Sequence, residues 1–306
     1  MKKVLTGIVI VAVLFIACIY LFVPRQIDIL ESKKIASPSN ATERFLTQQA
    51  AWNKWWPENG SNPLSYKDIK FTLVNPDLTV KSVMLEYNDT KIPSVLTILP
   101  SSKDSTLLTW KCSINSSSNP FRRINDYNHS KKVRSALRGL MDQLQSFMEK
   151  QENVYGMTIT QQQVQDTLLV TTRATYDHYP ATSEIYSLVN KLNDFIKNNK
   201  AIPTNPPMLN VQSLDNRYEV MVAIPLNVPV QDKNEVALKR MVPGKILVAE
   251  VKGGPETVNE AFRQMELFAN DYKKSAPAIP FFSLITDRIN ERDTSKWITR
   301  IYYPIL

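Results

Sequence analysis

The chain has 306 residues, 43% of them hydrophobic, enough for two packed domains of ordinary size. It carries 37 Lys and Arg against 29 Asp and Glu, a net charge of +8, but the basic residues are dispersed, which argues for a solvated surface and against a nucleic-acid interface. Two cysteines, two histidines and seven glycines exclude a disulfide framework, a zinc-ligand spacing and a glycine-rich phosphate loop, so no metal and no cofactor is expected.

Residues 4–23 contain no charge. At 1.5 Å per residue they match a hydrocarbon core of about 30 Å. A cleaved signal peptide has a shorter apolar core and a small-residue cleavage site, and Tyr20-Leu21-Phe22-Val23 offers none. The expectation is a retained single-pass transmembrane anchor over residues 1–24. A short basic tail before a long domain usually stays inside, which places the soluble part outside the cytoplasm.

Residues 26–34 read as a strand and 37–51 as a helix, capped by Ser39 or Asn40. Trp52-Asn53-Lys54-Trp55-Trp56-Pro57 follows, either a hydrophobic plug or the rim of an apolar pocket. Alternation then recurs: Ile69, Phe71 and Leu73; Val83, Leu85 and Tyr87; the run 92–99; Leu108, Trp110, Cys112 and Ile114. One-sided alternation means antiparallel strands with one buried face. Residues 115–130 read as a polar loop holding His129, and 131–151 as a long amphipathic helix that has to cover a sheet. The element order and the Trp-x-x-Trp-Trp-Pro segment resemble the START-like helix-grip family (SRPBCC, polyketide cyclase type) over most of residues 25–150. That resemblance implies a cavity between a curved sheet and the long helix.

The remainder is organised as a repeat. Residues 245–252 form an apolar run, Gly253-Gly254-Pro255 breaks it, and Val258, Ala261, Phe262, Met265, Phe268 and Ala269 then recur at helical spacing. The same pattern stands 78–79 residues earlier: Leu168-Leu169-Val170 matches Ile246-Leu247-Val248, and 217–225 matches 296–304. Two copies of strand–helix–strand–strand are expected. The whole chain is therefore α+β: a transmembrane helix, a helix-grip antiparallel sheet domain, and a duplicated domain.

The duplicated part, residues 153–306, resembles the GyrI-like, or AraC-type effector-binding, domain. Val154-Tyr155-Gly156, Asn205-Pro206-Pro207, Gly244-Lys245, Gly253-Gly254 and the closing Trp297-Ile298-Thr299-Arg300-Ile301-Tyr302-Tyr303-Pro304 carry the likeness. It implies a cleft between the two halves that takes amphipathic or aromatic small molecules. The anchor, helix-grip and effector-binding order also resembles a class of bacterial envelope-anchored proteins, and a membrane span stands where a DNA-binding region would.

Many members of the family place a glutamate on the last strand where this chain has Arg300. A guanidinium there favours a carboxylate or phosphate, unless Arg300 pairs with Glu250 or Glu219. The expected ligand-binding residues are Met221, Glu250, Trp297, Arg300 and Tyr302, with no catalytic residue. The expected function is membrane-anchored, non-enzymatic capture of a small molecule. The alternatives are a hydrolase in which Glu250 and Tyr302 activate water, and an interaction scaffold with filled cavities.

Overall fold

The computed structural model describes residues 2–47, 49–57, 64–75, 80–233 and 235–306. The chain divides into two compact units, Met1–Lys150 and Gln151–Leu306. The fold is mixed α+β, with an N-terminal apolar helix, antiparallel sheets and a curled half-barrel.

The first unit begins with helix α1 (Lys2–Phe22), whose segment Val4–Phe22 is long and apolar enough to cross a membrane. Strand β1 (Gln26–Ile35) leads to helices α2 (Ser39–Thr47) and α3 (Gln49–Trp52). Strands β2 (Leu64–Tyr66), β3 (Ile69–Asn75), β4 (Val80–Tyr87), β5 (Thr90–Ser102) and β6 (Ser105–Asn115) form an antiparallel meander. The chain's first strand closes it, giving the order β1-β6-β5-β4-β3-β2. Asn88 and Asp89 both take positive φ, the two-residue turn geometry that keeps the twist of β4 and β5 matched.

Helix α4 (Pro120–Met148) crosses this sheet and buries Val133, Leu137, Leu140, Met141 and Leu144 against it. It begins well before the expected position 131, so residues 120–130 are helix rather than loop. Asn119 is the reason: its side chain accepts from the N–H groups of Phe121 and Arg122 at 3.0 and 3.2 Å, and Pro120 occupies the first turn. His129 therefore sits on a helix, edge-on to the Tyr87 ring at 5.0 Å. The expected helix 37–51 corresponds to α2 and α3, starting two residues later because β1 runs to Ile35, with residue 48 outside the described residues.

Trp52, Trp55 and Trp56 are buried and pack on one another, with ring centroids 5.3–5.7 Å apart. Trp110 of β6 meets Trp52 edge-on at 6.3 Å. Each indole N–H has an acceptor: Leu46, Phe45 and Ser65 carbonyls for the first three, and the Ser94 hydroxyl for Trp110. A buried indole without such a partner forfeits part of what its area contributes.

The second unit opens with the short helix α5 (Gln151–Tyr155) and edge strand β7 (Thr160–Gln163). Strand β8 (Leu168–Tyr176), helix α6 (Thr182–Asn198) and strands β9 (Met208–Leu214) and β10 (Arg217–Pro225) make the first repeat. After β11 (Ala237–Arg240), the second repeat is β12 (Lys245–Lys252), α7 (Pro255–Asp271), β13 (Phe281–Leu284) and β14 (Ile298–Ile305). The strands form one sheet in the order β11-β8-β10-β9-β13-β14-β12-β7. The halves are joined by β9 and β13, where Leu209 faces Phe282 and Met208 faces Ser283. The core on one side of the first half unites Val220, Val222 and Ile224 with Ile185, Val189 and Leu192 of α6.

Replacing Trp52 by Ala removes the ring at the centre of the first unit's aromatic cluster. It is expected to cost about 3–5 kcal/mol, measured as a lowered urea midpoint of that unit with no change in denaturant slope.

Candidate functional site

Strand alternation sorts the side chains of the second unit onto two faces. On β10, Val220, Val222 and Ile224 point to α6, so Met221 and Ala223 point away. The ladder register then carries one line of side chains across six strands: Thr171, Ala223, Met208, Ser283, Arg300 and Glu250 lie opposite one another in turn. This line crosses the junction of the two repeats and is the floor of a groove. Met208 and Ala223 are buried there with Leu169, and Met241 and Phe281 pack on them.

The groove has two compartments. One, of about 140 Å³, is lined by Leu169, Met221, Ala223, Ile279, Pro280 and Pro304. Its polar side chain, Asn210, is already engaged, donating to the Pro280 carbonyl at 2.9 Å. The other, of about 130 Å³, is lined by Gln162, Asp166, Ile246, Arg300 and Tyr302. Met208, Met241 and Phe281 line both. Phe281 stacks on Tyr302 with centroids 4.9 Å apart and planes at 14°.

Four of the five sequence-predicted residues, Met221, Glu250, Arg300 and Tyr302, share this face. The alternative in which Arg300 is paired is the one the structure adopts, with Glu250 as the partner: Nη2 donates to Oε2 at 2.9 Å. The pair raises the Arg300 pKa, Glu250 first and Tyr302 second among the causes. Glu219 is bound instead by Arg173, at 2.7 Å. The guanidinium is therefore neutralised where it meets the groove. At the apolar end, Lys239 of β11 lies 3.8 Å from the Met221 sulfur and forms no ion pair among the described residues.

Trp297 stands apart from the other four. It immediately precedes β14 and lies on the helix-bearing side with Thr299, Leu284 and Val258, where it is buried and donates to the Glu291 carbonyl at 2.8 Å. There Arg288 lies over its ring at 4.6 Å and donates to the Thr299 hydroxyl at 2.7 Å, and burial lowers the Arg288 pKa. A hollow of about 410 Å³ also lies on the helix-bearing side, edged by Tyr186, Asn190, Asn193 and Asp287. It is larger than either groove compartment and combines apolar side chains such as Val189, Ile224, Leu284 and Ile285 with the exposed carboxamides of Asn190, Asn193 and Asn205, but it joins neither charge pair of the groove.

The ladders also correct the repeat alignment. Arg300 faces Glu250 as Met221 faces Arg173. With Met221 equivalent to Arg300, Arg173 is equivalent to Glu250 and Leu169 to Ile246. The match of Leu168 with Ile246 was one residue out, a shift that would have put Ile246 on the wrong face. Among the described residues no cluster of His, Cys, Asp and Glu could hold a metal ion.

No family model matches this chain, and no curated protein matches it. Solved structures do. The C-terminal domain of EcmrR is 14% identical with a TM-score of 0.43, the match covering 49% of this chain and 98% of that one. SAV2435 bound to tetraphenylphosphonium is 16% identical at a TM-score of 0.34, over 49% and 94%. A START superfamily protein from Mycobacterium smegmatis is 18% identical at a TM-score of 0.26, over 38% and 98%. These neighbours include a small-molecule complex and a START-type protein, and at such distances they settle neither family nor ligand.

Two predictions follow from the charges. His178 bonds Asp177 at 2.7 Å and Glu184 at 3.2 Å, which raise its pKa in that order. A raised folded value means the stabilisation is complete below the ordinary value of about 6.5 and is lost as pH rises through the folded value. NMR titration should find His178 above about 6.5, and closer to it in Asp177→Asn. In the groove, Glu250→Gln frees a guanidinium and Arg300→Met frees a carboxylate. The first is expected to shift selectivity toward anionic amphiphiles and the second toward cationic ones. Each shift should be about two- to fivefold, from partly exposed pairs of ~0.5–1 kcal/mol, read as Kd ratios for matched ligands of opposite charge.

Proposed function

We propose that the second unit is a non-enzymatic binding module that holds an amphipathic or aromatic small molecule along the groove, while α1 tethers the chain to a membrane. The supporting observation is that an apolar compartment and a charged one lie side by side on one face, divided by Met208, Met241 and Phe281. Either compartment alone is smaller than the ~300 Å³ at the low end of ligand pockets. Methionine is unbranched and adapts its rotamers readily. Met241 is half-buried on the segment between β11 and β12, and its displacement would merge the two spaces.

In this reading residues 25–150 are a START-like helix-grip domain and 153–306 a GyrI-like effector-binding domain, with the soluble part outside the cytoplasm and no nucleic acid bound. A ligand's apolar body lies over Met208 and Ala223. Its polar end meets either Lys239 or the Arg300–Glu250 pair. Trp297 has no part in this site. The reading rests on the groove itself and not on the tetraphenylphosphonium of a distant structure. Hydrolysis through Glu250 and Tyr302 is not adopted, because activating water would require the carboxylate to leave Arg300.

Thermal unfolding of the full chain in detergent micelles against a library of amphipathic compounds tests the module. A binder present at 100 times its Kd is expected to stabilise the second unit by about 2.7 kcal/mol. Ala223→Met, which fills the floor, should abolish the rise while leaving the unliganded midpoint within a few degrees. A library in which no compound raises the midpoint would sink the proposal.

A further inference from the structure

Helix α1 does not simply precede the first unit; its last turns are packed into it. Ile19 and Val23 are buried, at 7% and 8% exposure, although the rest of Val4–Phe22 is almost wholly exposed. The Arg123 guanidinium, itself 4% exposed, grips the helix end: Nε donates to the Val23 carbonyl at 2.8 Å, Nη2 donates to the same oxygen, and the group lies 4.9 Å from the Tyr20 ring centroid. A cation on the last carbonyls of a helix also meets the negative end of its dipole. Tyr20 in turn donates through its hydroxyl to the Ser118 carbonyl. On the other side of the junction, Ser116 bonds the Arg25 carbonyl through both its backbone N–H, at 2.8 Å, and its hydroxyl, at 3.0 Å.

These contacts fix a depth. If Val4–Phe22 crosses a bilayer, Tyr20 lies about 3 Å of helical rise from the end of the apolar segment, at the edge of the hydrocarbon. Ser118 and Arg123 touch Tyr20, so the first turn of α4 is at the same level. Yet Phe121, on that turn, leaves 71% of its surface uncovered, and Arg122 and Arg25 are exposed beside the junction. The carboxylates closest in sequence are engaged: Asp126 accepts from the Ser117 N–H at 2.7 Å, and Asp28 accepts from Ser113 at 2.6 Å and from Gln26 at 2.9 Å.

We propose that residues 117–123 form a second bilayer contact in which Phe121 enters the headgroup–acyl boundary and Arg25 and Arg122 meet lipid phosphates. The first unit is thereby seated on the membrane rather than suspended from it. An aromatic ring flanked by guanidinium groups suits this zone, because the ring partitions at the interface and the cations remain hydrated among phosphates. The inference rests on α1 being a membrane span.

The test uses the full chain in nanodiscs of anionic lipid. Cys18→Ser removes the exposed thiol; burial holds the Cys112 thiol up at about 12, so it stays unreactive to maleimides. In that background, Phe121→Cys or Leu99→Cys is labelled with an NBD fluorophore. Leu99 is exposed and lies, through Leu107, level with Lys34 near the far end of β1. The label at 121 is expected to be several-fold less accessible to aqueous iodide than that at 99, and to be quenched by headgroup-region nitroxide lipids. In the unlabelled chain, Arg25→Gln with Arg122→Gln should lower the anionic-lipid preference in mixed liposomes without releasing the protein. Equal iodide quenching at 121 and 99 in protein that resists alkaline extraction would overturn the seating alone. Release by alkaline extraction would instead overturn the span on which it rests.

Discussion

The constraint on which the second unit depends is the short pairing of β9 with β13. Only Leu209–Phe282 and Met208–Ser283 are in register there. That pairing turns two strand–helix–strand–strand units into one sheet, and it does so at the centre of the groove. Each repeat alone would expose an unpaired strand edge, an invitation to association with another chain. Joined, the two edges satisfy each other, and their inner residues become the floor between the apolar compartment and the charged one. The same two positions thus serve the fold and the site, so a substitution at Met208 or Ser283 acts on both.

The two units deal differently with an aromatic-rich interior. In the first, the space between sheet and long helix receives Trp52, Trp55, Trp56 and Trp110, each with its N–H bonded. In the second, the middle of the floor is Ala223, Met208 and Ser283, residues that leave room or yield it. A closely stacked indole cluster resists displacement because every ring keeps several neighbours in contact. A thioether that swings aside loses far less. The proposed ligand site is therefore assigned to the second unit.

Much of this was legible in the sequence, for identifiable reasons. The repeat was visible because both copies place an apolar run, a breaker and a 3.6-residue periodicity in the same order. Met221, Glu250, Arg300 and Tyr302 fell on one face because strand alternation is strict. Trp297 lies on the helix-bearing side, away from the other four, and strand parity could not tell, because it precedes β14 rather than belonging to it. The start of α4 was missed because Asn119-Pro120 reads equally as a turn and the following Arg122, Arg123 and Asn125 hide the apolar period. The partner of Arg300 was beyond reach: Glu219 and Glu250 were equally plausible in the sequence, and register alone chose between them. The Arg123 clamp had no signal at all, because it joins positions a hundred residues apart.

The repeats are alike in backbone and unlike in chemistry. Met221 occupies the place in one half that Arg300 holds in the other, and Ala223 the place of Tyr302. A groove with true two-fold symmetry would accept an elongated molecule equally well in either direction, leaving its ends undistinguished. Divergence at these two positions gives the groove a head and a tail. The two directions along the proposed site are then inequivalent: a guest whose polar end meets Lys239 lies opposite to one whose polar end meets the Arg300–Glu250 pair.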